Sequence, residues 1–276
     1  DPHINEEIVG EALRPYRDKI VIATKFGIRF DRSSGKYPCP LIADARPEAI
    51  RKSVEGSLKR LGTDCIDLYY QHRIDPNIPP KEVAGVMSEL IKEGKIKAWG
   101  ISETGEEYLR KAHAVCSVTA IQNRYSMMYR DYEKLFPVLE ELGISFVAFS
   151  PMANGFLTAK YDTNSKFEHG TDYRGTMPQF QKEAMEQNQE LLNLLRYTAE
   201  DKNATPAQIS LSWMLCKKPF IIPIPGTRNP DRLQENADSA DINLTQQEVQ
   251  ALDTALDNIP MSAVFGGSKT RSTDNN

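Results

Sequence analysis

Lys25 ends the run Ile-Ala-Thr-Lys, and His72 ends the run Asp-Leu-Tyr-Tyr-Gln-His. A lysine whose surroundings shift its pKa and an imidazole that titrates near neutrality are side chains suited to moving protons or holding charge. Ser102, Gln122 with Asn123, Ser150, and Gly226 with Thr227 close further apolar runs in the same way. Singly each is a weak sign. A lysine at a strand end is more commonly a solvated charge, a histidine there is as readily structural, and serines and amides can simply hydrogen-bond the rim. Together they place a cation, an imidazole and several amides on one small face, provided the strands run parallel and end on the same side.

The elements that would position them alternate. Six short β-like runs, Ile20–Thr24, Cys65–Tyr70, Ile96–Ile101, Val118–Ile121, Ile144–Phe149 and Phe220–Ile224, are almost continuously apolar, as strands covered on both faces should be. Between them lie helix signatures. Pro47 through Leu61 sets Ile50, Val54 and Leu58 on one face, with Pro47 fit for the first helical position and Gly62 for the stop. Thr205, Pro206 and Gln208 form a capping-box start for a helix carrying Ile209 and Trp213. Asn229 with Pro230, and Thr245 with Glu248, open two more, and Leu135, Leu139, Leu142 and Gly143 describe another. Such alternation predicts a parallel sheet, as a barrel or a doubly wound fold. A doubly wound sheet concentrates its site at one switch point after a glycine-rich first turn, and no GxGxxG follows any run here. Functional residues at many strand ends favour the barrel, whose strand C-termini converge on one face.

Composition narrows the function. The 276 residues are 40% hydrophobic and carry 34 basic against 38 acidic side chains, a formal charge of −4. One barrel domain over residues 1–276 accommodates that length. Nothing suggests a nucleic-acid partner, and no apolar run approaches the roughly 18 residues that a membrane helix needs. Cys39, Cys65, Cys116 and Cys216 form no CxxC pair, and Cys65 and Cys116 adjoin apolar segments, which points to reduced, core-like thiols and a cytoplasmic setting. His3, His72, His113 and His169 show no metal-ligand spacing, so no metal site is expected.

Six segments, IATK (22–25), DLYYQH (67–72), GKIKAWGISE (94–103), AIQNRYS (120–126), AFSPMANGFLTAKY (148–161) and IPGTRNPDRLQEN (224–236), resemble the aldo-keto reductases in family order over nearly the whole chain. They look most like the bacterial branch that includes general-stress and pyridoxal-reductase-like enzymes. The resemblance implies a TIM-type (β/α)8 barrel that binds NADP(H) and passes hydride to the carbonyl carbon of a small aldehyde or ketone. The family's catalytic group is an Asp, a Tyr, a Lys and a His. Lys25 matches the lysine, which lowers the tyrosine's pKa, and His72 matches the histidine, which orients the carbonyl. Ser102 and Gln122 match the positions that bind the nicotinamide carboxamide, although Glu103 stands where the family often has Asn. Phe149 matches the aromatic that stacks on the nicotinamide ring. Ser150, Pro151, Met152, Gly155 and Leu157 match the loop over the pyrophosphate. Gly226, Thr227, Arg228 and Arg232 match the 2′-phosphate pocket, with Glu235 and Asn236 near the adenine. Many relatives have Lys at the position of Gly226, so the resemblance leaves the cationic grip to Arg228 and Arg232, beside an Asn-Pro helix start suited to anions.

The family's Asp and Tyr lie on a segment reading roughly Phe-Asp-Thr-Ala-x-x-Tyr-x-Pro, followed by Asn-Glu and a helix. Asp1-Pro2-His3-Ile4-Asn5-Glu6-Glu7 matches the stretch just after that tyrosine. The expectation is therefore a chain that begins past it, without the barrel's first two strands and first helix, and with the edges of Ile20–Thr24 and Phe220–Ile224 unpaired. Tyr69, Tyr70 and Tyr125 are then the alternative proton donors. The loops Arg29–Ala45 and Asp162–Gln181 and the tail Met261–Asn276 are the candidate substrate walls. Oligomeric state is not encoded in any feature of the sequence. The alternative functions are a cofactor-binding, redox-sensing regulatory subunit of the same fold, and a barrel isomerase or aldolase.

Overall fold

The computed structural model describes residues 3–35, 39–168, 170–266 and 270–271. Its strands are β1 (Ala23–Phe26), β2 (Ile28–Phe30), β3 (Leu41–Ala43), β4 (Ile66–Gln71), β5 (Ile96–Ser102), β6 (Ala120–Arg124), β7 (Ser145–Phe149), β8 (Ile221–Pro223) and β9 (Thr270–Arg271). The chain forms two compact units. One comprises Asp1–Gln122, Pro137–Ile144 and Ser268–Asn276, the other Asn123–Phe136 and Ser145–Gly267.

In the first unit β1, β4, β5 and the start of β6 pair in parallel, in that order. Helices Pro47–Leu61, Pro80–Lys92 and Glu106–His113 separate them in sequence. The Pro47–Leu61 helix forms as its pattern predicts. Ile50, Val54, Ser57 and Leu61 are its buried stripe, Pro47 stands in the first turn, and Gly62 takes φ 64° at the stop. There the Gly62 N–H reaches the Lys59 carbonyl at 3.3 Å and the Thr63 N–H reaches that of Leu58 at 3.2 Å. Fully burying Ile50, Val54 or Leu61 contributes about 1.5–3 kcal/mol each. A second sheet pairs β2 antiparallel to β3 and β3 parallel to β9.

The second unit pairs β7 with β8 in parallel. Its core gathers aromatic side chains around Tyr125, which stacks on Trp213 at 5.4 Å and meets Phe136 and Phe146 edge-on. The Thr205–Gln208 and Thr245–Glu248 capping boxes both form.

Four of the six runs seen in the sequence become strands within one residue of their expected bounds, and Val118–Ile121 shifts to Ala120–Arg124, two residues later at its start and three at its end. The first is displaced: Ile20–Thr24 gives way to Ala23–Phe26, because Ile20 caps the 3-10 helix Arg14–Lys19 and the Ile22 N–H is held by Asp67 at 2.9 Å. Lys25 therefore lies inside its strand, and Phe26 ends it. Cys39, Cys65, Cys116 and Cys216 are free and half-buried, so Cys65 and Cys116 are less enclosed than core-like thiols. Among the described residues β1 has β4 as its one strand neighbour and β8 has β7, and Ile222 on β8 is 48% exposed. No helix among the described residues is long and apolar enough to cross a membrane, and no cluster of three metal-ligating side chains occurs among them.

Candidate active site

Register determines which side chains share a face of the first unit's sheet. Lys25 lies beside Tyr70, Tyr70 beside Gly100, and Gly100 beside Ala120, while Ser102 lies beside Gln122. Side chains alternate faces along a strand, so Lys25, Tyr70, His72, Ser102 and Gln122 project to one side. The opposite side meets the helices: Tyr69 Oη donates to Ser53 at 3.0 Å and Tyr108 Oη donates to Gln71 at 3.0 Å. The His72 N–H donates to the Phe26 carbonyl at 2.8 Å, which ties the end of β4 to the end of β1.

Lys25 and His72 line one cavity of about 610 Å³ together with Arg29, Phe30, Arg32 and Leu41. The expected wall Arg29–Ala45 thus contributes to it, with residues 36–38 outside the described set. Glu6 also lines the cavity, where Thr24 Oγ1 donates to it at 2.7 Å and Arg60 Nε at 2.6 Å. Burial and the neighbouring Arg73 lower the Lys25 pKa. Among the described residues no carboxylate pairs with the Lys25 ammonium. Burial, then the charge of Lys25, then that of Arg73, pushes His72 down to about 4. At neutral pH the imidazole is uncharged, with one ring N–H to donate and one nitrogen to accept.

Two consequences can be measured. In an NMR titration His72 changes protonation near pH 4, and Lys25→Met moves that midpoint upward while burial still holds it below the ordinary value of about 6.5. A midpoint that Lys25→Met leaves in place would separate the two side chains. Because the native site refuses a proton that the unfolded chain accepts, this group's stabilisation is complete above about pH 6.5 and is lost as pH falls toward 4.

Ser102 and Gln122 are almost wholly buried. Ser102 Oγ donates to the Gln122 backbone carbonyl at 2.8 Å, and the Glu103 N–H reaches the same oxygen at 3.2 Å. The Ser102 hydroxyl proton is therefore committed, and only its lone pairs remain for a ligand. Glu103 adopts φ 55° just past β5, a strained setting for a residue with a side chain.

The second unit holds a cavity of about 960 Å³. Ser150, Pro151, Met152 and Gly155 form part of its wall, with Gly226, Thr227, Arg228, Arg232 and Asn236 also lining it. The Ser150–Gly155 turn runs through left-handed backbone at Ser150, Ala153, Asn154 and Gly155 (φ 52°, 46°, 61° and 95°). Such strain collects where backbone must be aimed at something. Three expected members stand apart from the cavity surface. Leu157 is fully buried, with its N–H spent on the Met152 carbonyl at 3.2 Å. Glu235 faces Arg232 at 3.8 Å instead. Phe149 is half-buried, and its carbonyl accepts from the Tyr125 N–H at 3.2 Å. The Asn-Pro helix start also differs from expectation. Asn229 Oδ1 accepts the N–H groups of Asp231 at 2.8 Å and Arg232 at 3.3 Å. Those N–H groups are consumed by the cap, and the guanidinium groups of Arg228 and Arg232 are the cationic groups beside it in the cavity wall. A Cβ at Gly226 would meet nothing within 4 Å, so the backbone there leaves open space at the start of a side chain.

Sequence reasoning missed the rest of this wall. Tyr161, Lys166, Glu168, Asp172, Tyr173 and Arg174 line the same cavity, so the Asp162–Gln181 loop encloses it rather than the Lys25 cavity. Arg174 holds both Asp172 and the Tyr161 hydroxyl, and its guanidinium lies 4.9 Å from the centre of the Tyr161 ring. Near the end of the loop Gln179 is fully buried. Its Nε2 donates to the Ala153 carbonyl at 3.2 Å, and its Oε1 accepts from the Phe265 N–H at 2.9 Å. Of the expected tail wall, residues 267–269 and 272–276 lie outside the described set.

A family model for the aldo/keto reductase family matches residues 1–257. The chain belongs to the aldo-keto reductases. Aldo-keto reductase str7 of Strobilurus tenacellus is 39% identical over 254 residues, covering 90% of this chain and 72% of its own length. Probable aldo-keto reductase 1 of Glycine max is 37% identical over 270 residues, with 95% and 74% covered. Among solved structures the chain is similar to the glycerol dehydrogenase AKR11B4 from Gluconobacter oxydans, with a TM-score of 0.85 and 30% identity over 95% of this chain and 80% of that one. It is also similar to the holo form of aldo-keto reductase AKR11C1 from Bacillus halodurans, at 0.73 and 26% over 97% and 82%. The reductase therefore has the TIM-type (β/α)8 barrel class of fold, and its family chemistry is carbonyl reduction with a nicotinamide cofactor.

Proposed function

We propose that this aldo-keto reductase uses NADPH to reduce a small aldehyde or ketone to the alcohol. The observation that carries the reading is the pairing of Lys25 with a neutral His72 on one sheet face and in one cavity. Bound NADPH supplies the hydride for the carbonyl carbon. His72 donates its ring N–H to the carbonyl oxygen and orients it. Lys25, charged and screened by no carboxylate among the described residues, stabilises negative charge on that oxygen and lowers the pKa of a proton-donating phenol. The hydroxyls of Tyr69 and Tyr125 are engaged by Ser53 and Glu133, and burial raises the pKa of both and of Tyr70, so each would need the charge of a neighbouring cation to serve as that phenol.

The cofactor's carboxamide falls to Gln122 and to the free lone pairs of Ser102, and the face of its nicotinamide ring to Phe149. Ser150, Pro151, Met152 and Gly155 surround its pyrophosphate, with Leu157 buried behind them. Gly226, Thr227, Arg228 and Arg232 receive the 2′-phosphate, with Glu235 and Asn236 toward the adenine. Three features of the larger cavity suit an adenosine phosphate: its size, the two guanidinium groups Arg228 and Arg232, and the strained turn at Ser150–Gly155.

Adding the full-length protein to NADPH should quench or shift the cofactor's fluorescence, and a panel of aldehydes and ketones should then consume NADPH. Binding without turnover on any carbonyl would favour a regulatory, redox-sensing subunit. No binding at all would remove the cofactor assignment.

A further inference from the structure

We propose that the Lys25 cavity selects carbonyl substrates that carry an anionic oxygen group, a carboxylate or a phosphate ester, and that Arg29 and Arg32 bind that group. The proposal names a substrate class for the functional reading above and rests on it. It begins from a charge imbalance in the cavity wall. Lys25, Arg29, Arg32 and Arg60 line the cavity, and Glu6 is the one carboxylate among its described lining residues. Glu6 is already taken, by Arg60 Nε at 2.6 Å and by Thr24 Oγ1 at 2.7 Å. Three cations are left in the wall with no carboxylate of the wall to answer them.

Little outside the wall holds the two arginines either. Arg32 has no ion-pair partner among the described residues. Arg29 reaches Asp44 through Nε at 3.4 Å, but Arg46 already holds that carboxylate from Nε at 2.8 Å and Nη2 at 2.7 Å. Arg29 also acts on the Asp31 carboxylate, which accepts from the Ser33 hydroxyl at 2.5 Å. Neither Asp31 nor Asp44 lines the cavity. A guanidinium offers paired N–H donors that match two oxygens of a carboxylate or phosphate. Position fits the role as well. A Cβ on Gly27 would stand 3.9 Å from the His72 backbone nitrogen, and Arg29 follows two residues later, about 7 Å along extended chain. The anion is thus bound away from the reacting carbon, at about the reach of a para-substituted ring. Phe30 and Leu41 line the same cavity, and Phe30 is 41% exposed, which gives the intervening carbon skeleton an apolar surface.

The test uses matched charged and neutral carbonyls with NADPH: 4-carboxybenzaldehyde against its methyl ester, and glyceraldehyde 3-phosphate against glyceraldehyde. The wild-type reductase should show the higher kcat/KM for the charged member of at least one pair, and the pair that shows it tells carboxylate from phosphate. Arg29→Ala with Arg32→Ala should lower the charged-to-neutral ratio by about tenfold, a modest factor because both side chains are partly in solvent. Added salt should compress the ratio in the wild type and leave it nearly fixed in the double variant. A second readout needs no turnover. Terephthalate has the carboxylate but no aldehyde; titrated into protein saturated with NADP+, which keeps the larger cavity filled, it should bind the wild type and not the double variant. Preference for the neutral member of both pairs would overturn the proposal, as would an unchanged ratio in the double variant or equal terephthalate titrations of the two proteins. Absence of turnover on every carbonyl, charged or neutral, would instead overturn the functional reading and this proposal with it.

Discussion

Replacing both guanidinium groups of the larger cavity, Arg228→Ala with Arg232→Ala, should weaken NADPH binding by about 10²–10⁴-fold while leaving NADH binding nearly unchanged. Each arginine makes charge-assisted hydrogen bonds worth about 1.5–3 kcal/mol to a phosphate that NADH lacks. Their availability supports the size of the effect. Among the described residues Arg228 has no ion-pair partner, and Arg232 has only Glu235 at 3.8 Å, so neither must break a strong pair to receive a phosphate. The helix start contributes little to the difference, because Asn229 occupies its first N–H groups. Titration of both cofactors against the wild type and the double variant by calorimetry or fluorescence measures the prediction. Equal loss for NADH and NADPH would place the 2′-phosphate elsewhere.

Lys25→Met should cut carbonyl turnover by roughly 10²–10⁴-fold, the span of acid–base catalysis, with NADPH affinity almost intact. The charge is already costly where it stands: burial and Arg73 both act against it, and no carboxylate among the described residues compensates it. Removing it should therefore preserve the folded protein, and a melting curve at or above the wild-type temperature would exclude unfolding as the cause of lost activity. Stopped-flow measurement of the reduction step in the full-length protein is the direct test. A rate within threefold of the wild type would remove Lys25 from the chemistry.

Local chemistry was legible in the sequence, and register was not. The Pro47–Leu61 helix, both capping boxes and the placing of Lys25 and His72 follow from neighbours within a few residues. The displaced first strand shows the limit. Ile20 and Val21 are as apolar as any strand residue, but the Arg14–Lys19 turn and Asp67, a partner 45 residues away, decide where pairing begins. Tyr70 could be seen only as one tyrosine among several, since its place between Lys25 and Gly100 depends on the register of three strands. The Asp162–Gln181 loop has no periodic pattern to read. It becomes a cavity wall through Arg174, which gathers Asp172 and Tyr161 from either side. Leu157 matched the family motif in sequence, but it serves the loop from beneath.

Gln179 joins two stretches of chain that share no strand or helix. Its amide gives a proton to the turn at Ala153 and takes one from the tail at Phe265, and both contacts depend on the same terminal torsion. Turning that torsion by 180° would set oxygen against oxygen at one end and N–H against NH₂ at the other. The cavity turn and the C-terminal tail are thus coupled through a single rotational degree of freedom with one acceptable setting. Neither stretch can change partners without the other registering it.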